Sequence, residues 1–155
     1  MKLMSLFIGL FFMIINSADM NQIRDLYKHA HESKENTDRF YELTKESDQQ
    51  DPVVLGYYGC ATALKASFAD GVWKKLSLFK EGRKLIDKAI ISAPNNIELR
   101  MIRLSVQYGA PKILMYYSEI ENDKAFILNN VDAVSSSGLQ QFIKAFIANS
   151  EVFKE

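Results

Sequence analysis

The chain has 155 residues, of which 48% are hydrophobic and 25% charged, with one Cys and a formal net charge of zero. A lone thiol excludes an intramolecular disulfide framework, so stability must come from a packed core. With no overall positive charge to draw it to a polyanion, nucleic acid is not an expected partner.

Residues 1–18 read MKLMSLFIGLFFMIINSA, with Lys2 followed by an apolar run 13 residues long, Leu3 to Ile15, and then the small residues Ser17 and Ala18. A membrane-spanning helix needs about 20 apolar residues, so this run fits a secretory signal peptide instead, with cleavage after Ser17 or Ala18. No Cys lies at the cleavage point to carry a lipid. The expectation is an exported protein, periplasmic or secreted, with no membrane attachment after cleavage. Residues 19–155 are then long enough for one domain.

Charge is unevenly spread. Residues 19–51 carry five basic and nine acidic side chains, 52–112 carry ten and four, and 113–155 carry three and six, giving −4, +6 and −3. The expectation is that neighbouring helices complement one another across the fold; the other reading is a surface for an acidic partner.

Apolar periodicity is helical throughout. Ile23, Leu26, Tyr27 and Ala30 form one stripe, and within that helix lies His29-Ala30-His31-Glu32. The two His point about 200° apart on a helix and cannot share a metal from it. Asp25, His29 and Glu32 could share a face, but a zinc site normally has more than one His among three ligands, so a solvated face and no metal are expected. A second helix over 37–47 turns Phe40 and Leu43 inward. Asp51-Pro52 opens a third as N-cap and first-turn Pro. That helix is almost wholly apolar to Leu64 and places Cys60 in the core. Trp73, Leu76 and Phe79 start a fourth, with Trp73 expected in the core or, if exposed, as a contact anchor.

From Phe79 the stripe continues through Gly82, Ile86, Ala89, Ile90 and Ala93 to Pro94, mixing small with large residues as in closely paired helices. Gly82, Ile86, Ala89 and Pro94 resemble the second helix of a tetratricopeptide repeat. Leu55-Gly56 with Tyr57 and Tyr58 is similar to the first-helix signature. Pro52 and Pro94 are 42 residues apart, and an insertion of roughly eight residues at 70–75 would restore the family period of about 34. The chain as a whole also resembles small exported bacterial helical proteins. These likenesses imply an all-α fold of antiparallel helix pairs stacked as a short superhelical array, and a concave face, built from the first helix of each pair, that would hold a protein or peptide.

Further on, Asn95 stands three before Glu98 as in a capping box, and Ile97, Met101, Leu104 and Tyr108 form the fifth stripe. Gly109 and Pro111 stop it. Ser118 with Glu121 marks a restart running to Asn130, and 135–137 is a polar joint. Leu139, Phe142, Ile143, Phe146 and Phe153 face one way on a last helix expected to cap the array.

No phosphate loop, nucleophile elbow or paired Cys motif is present, so no enzyme activity and no cofactor are expected. The pairs Glu42/Glu46 and Glu119/Asp123 read as solvated carboxylates. The function expected is therefore a non-enzymatic interaction module, with Arg100, Arg103 and Trp73 as candidate partner-binding residues. The alternative is an apolar ligand held between helices by Tyr57, Tyr58, Tyr116 and Tyr117, whose other reading is as core residues with the hydroxyl at the edge.

Overall fold

The computed structural model describes residues 19–154, so the leader expected at 1–18 lies outside the described residues. The described chain is all-α. Its helices are α1 (Met20–His29), α2 (Lys34–Glu46), α3 (Pro52–Phe68), α4 (Val72–Ser92), α5 (Ile97–Gly109), α6 (Ile120–Asn130) and α7 (Ser137–Asn149), with short 3-10 turns at Ala30–Glu32, Lys112–Leu114, Val131–Ala133 and Glu151–Phe153.

Most helix starts are capped by the residue types that satisfy the free N–H groups of a first turn. The side chains of Asp19, Ser33, Asp51, Asn96 and Ser136 accept from the backbone N–H of Asn21, Asn36, Val53, Leu99 and Leu139. Two of the expected caps move. Asn96, not Asn95, caps α5, and α6 starts at Ile120 with no side-chain cap, leaving Ser118 exposed outside it. The expected insertion at 70–75 is not a loop. Only residues 69–71 join α3 to α4, with Gly71 at φ 81° making the reversal, and the remaining length extends α4 to 21 residues.

α3 is apolar all round because it packs against α2, α4 and α5 at once. Its approach to α4 is set by two glycines. A Cβ on Gly59 would lie 2.8 Å from the Gly82 carbonyl oxygen and 2.9 Å from the Ile86 nitrogen, and one on Gly82 would lie 2.5 Å from the Ala63 nitrogen and also strike the Gly59 oxygen. The backbones thus touch where side chains normally separate helices. Ala89 and Ile86, farther along the same stripe of α4, are wholly buried. Cys60 is in the core as expected, its thiol pushed up to about 12 by burial. Phe142 of α7 packs on Tyr27 of α1, and Phe146 meets Phe153 edge-on.

Gly82→Ala should destabilise by about 2 kcal/mol or more, because overpacking outweighs the gain of about 1 kcal/mol in helix propensity. Gly138→Ala in α7, where an added Cβ meets nothing within 4 Å, should be neutral or slightly stabilising. Urea denaturation of the two variants checks the contrast.

Candidate functional site

Arg103 is buried and Arg100 partly buried, and both are held by a carboxylate. Arg103 donates from Nε to Asp123 Oδ2 and from a terminal nitrogen to Oδ1, both at 2.7 Å, while Arg100 adds a bond to Oδ1 at 3.0 Å. Asp123 has 0% exposure and Arg103 8%. The Glu119/Asp123 pair read as solvated is therefore split, with Asp123 interior and Glu119 at the edge, 3.5 Å from Arg103. Burial opposes the Arg103 charge, and the hydrogen bond and charge of Asp123 more than offset it, so its proton is held above the ordinary range. The two arginines belong to the joint between α5 and α6.

A second buried cluster joins α1, α3 and α5. Arg24 makes a two-pronged bond to Glu98 at 2.7 and 2.8 Å, and the Tyr57 hydroxyl donates to Glu98 at 2.5 Å. Glu98 is thereby satisfied from two helices although it is buried. The Arg24 guanidinium also lies 6.0 Å from the centre of the Phe142 ring, so α7 covers the same corner. At this corner the Arg24, Tyr57 and Glu98 side chains join α1, α3 and α5.

Of the other tyrosines, Tyr58 lies against Tyr41 with the hydroxyls 3.4 Å apart. Tyr116 is buried and donates to Asp87 at 2.9 Å, under the Arg83 guanidinium. Burial, then the Asp87 charge, raises its hydroxyl well above the usual range. Tyr117 is half exposed. The four have different partners, and the hydroxyls of Tyr57 and Tyr116 are each held by a carboxylate. His29 pairs with Glu32 at 2.7 Å on an exposed surface. Among the described residues no three His, Cys, Asp or Glu side chains come together as a metal site would require.

The outer face of α4 is open. Trp73, expected in the core, is 83% exposed. The reason is angular: at about 100° per residue, Trp73 falls about 180° from Gly82, opposite the packed stripe. The same step puts Lys80, Lys84 and Ile91 within about 20° of Trp73, and Lys88 about 60° away. Ile91 is 80% exposed. Lys80, Arg83, Lys84, Asp87, Lys88 and Ile91 line a shallow open trough.

Six basic and two acidic side chains lie on α4, and among the described residues Lys74, Lys75, Lys80, Lys84 and Lys88 form no ion pair. Arg83 forms its ion pair within its own helix, 3.6 Å from Asp87, and lies over the Tyr116 ring. The α2–α3 contact is different. There Lys34 and Lys65 close on Asp38 at 2.6 and 3.1 Å, and these bonds, Lys34 first, hold its carboxyl below the usual range. Complementation between neighbouring helices thus accounts for Lys65 but leaves the positive charge of α4 unspent.

No family model, no curated protein and no solved structure matches the chain. No helix among the described residues is long and apolar enough to cross a membrane.

Asp123→Asn should destabilise by about 2–4 kcal/mol, below the 3–5 kcal/mol of a fully orphaned buried charge because Glu119 stays beside Arg103. Chemical denaturation of this variant measures the loss, and a change under about 0.5 kcal/mol would show that the cluster is solvated.

Proposed function

We propose that this chain is a non-enzymatic interaction module, exported after loss of residues 1–18, that docks a protein partner on the outer face of α4. The observation that carries this reading is the row of α4 lysines that form no ion pair among the described residues, bounded by an exposed Trp73 and an exposed Ile91. Exposed like charges repel one another and cost a little stability, so a row left unpaired is better explained by a partner than by folding.

The architecture in this proposal is a short tetratricopeptide-like array of antiparallel pairs, α1/α2, α3/α4 and α5/α6, closed by α7. Contact register supports the pairing. Gly56 lies near Ala89, Gly59 near Ile86 and Ala63 near Gly82, so positions that rise along α3 fall along α4. Between α5 and α6, Arg100 reaches Asp123 and Arg103 reaches back to Glu119. In such an array α4 is a second helix of its pair, and its outer side is the convex surface.

The test is capture from the exported fraction by the protein and two variants. Lys80→Glu/Lys84→Glu/Lys88→Glu should lose a partner that the unmodified chain and His29→Gln/His31→Gln both retain, with all three equally folded by circular dichroism. Retention by the lysine variant would refute the docking face.

A further inference from the structure

We propose that the protein docked on the α4 face is a second copy of this chain, joined through a surface that carries a basic row and an acidic row side by side; this rests on the docking face above and names its occupant.

The acidic row is on α2. Glu35, Glu42 and Glu46 are exposed and form no ion pair among the described residues. At about 100° per residue they fall within about 40° of one another, with the buried Thr37, Phe40 and Thr44 on the opposite side of the helix. Neither row is uniform. Arg39 stands exposed beside the acids, and Glu81 stands exposed beside the lysines of α4. On the other flank of the basic row Leu76 is partly buried and Asp87 is engaged by Tyr116 and Arg83. Each row still keeps three charges of its own sign against one exposed charge of the other.

Within one copy the two rows cannot meet. Tyr41 lies by Tyr58 and Asp38 by Lys65, so α2 runs against α3. Gly56 lies by Ala89 and Ala63 by Gly82, so α3 runs against α4. α2 and α4 therefore run the same way, with a shallow groove between them lined by Lys34 and Asp38 of the one and Lys74 and Leu78 of the other. Viewed along the common direction, these residues fall about 60–100° to one side of the acidic row and about 80–120° to the other side of the basic row. Both rows thus point outward on the same surface. They also stand at similar heights, because Asp38 and Gly82 both lie level with residues 63–65 of α3.

Unlike rows side by side make a surface complementary to itself. A twofold axis lying over the groove and running with the two helices turns a second copy to face the first, acids to lysines at one contact and lysines to acids at the other. An axis across the helices would instead set like on like. An unrelated acidic protein would satisfy α4 and leave Glu35, Glu42 and Glu46 unpaired, whereas a second copy satisfies both rows. The zero net charge of the chain removes the long-range repulsion that would hold two copies apart.

Analytical ultracentrifugation of the chain from residue 19 onward reads the outcome. Exposed ion pairs are individually weak, so the unmodified chain should pass from one copy to two as concentration rises, and the dimer should weaken as salt rises. Lys80→Glu/Lys84→Glu/Lys88→Glu and Glu35→Lys/Glu42→Lys/Glu46→Lys should each lose the dimer, since both rows then carry one sign. An equimolar mixture of the two variants should regain it, because each facing pair of rows is again opposite in sign. Circular dichroism checks that both variants are folded. A chain that stays monomeric at every concentration, a dimer that either variant retains, or a mixture that fails to pair would overturn the second copy. In those cases capture from the exported fraction separates the two proposals. If it still depends on the three lysines, the docking face stands with another protein on it; if it does not, the face itself has failed.

Discussion

The backbone contact between Gly59 and Gly82 is the constraint from which the rest of the structure follows. Helices that touch through backbone atoms can be neither rotated nor separated without opening a gap, because no side chain at the crossing can adjust its rotamer to fill one. α4 is therefore fixed with Gly82, Ile86 and Ala89 against α3. Once that face is fixed, the opposite face must point outward. Trp73, Lys80, Lys84 and Ile91 are exposed because Gly82 is buried.

α5 performs a complementary task with charge. Glu98 near its start takes Arg24 of α1 and the hydroxyl of Tyr57, whereas Arg100 and Arg103 take Asp123 of α6. Each cluster joins residues far apart in sequence and satisfies its buried charge with directed bonds. Buried ion pairs add little net stability once the cost of removing them from water is counted, but they strongly disfavour any arrangement that separates them. Here they specify which helices neighbour α5, and the apolar core and glycine crossing supply most of the cohesion.

Much of this was legible in the residues. The stripe through Gly82, Ile86 and Ala89 identified the buried face of α4, Asp51-Pro52 identified the start of α3, and the apolar surroundings of Cys60 placed it inside. Trp73 could have been placed as well, since its angle from Gly82 follows from residue number alone; spacing to Leu76 and Phe79 misled because steps of three walk steadily round a helix. Asp123 could not have been placed. On its own helix it lies among polar residues, and the two cations that draw it inside stand 20 and 23 residues away. The bonding of Arg24 and Tyr57 to Glu98 was hidden for the same reason, as they lie 74 and 41 residues away from it. The exposed lysine row was visible as a basic middle third, but only the three-dimensional neighbours distinguish a charge that is paired, as at Lys65, from one that is not.

Native-state amide hydrogen exchange tests the central claim most directly, because it ranks segments by the free energy needed to open them. If the Gly59–Gly82 crossing holds the fold together, the amides of 59–63 and 82–89 exchange only through global unfolding, while those of α7 and of the 110–119 connection exchange through smaller openings. Exchange at the crossing as easy as in α7 would contradict the account.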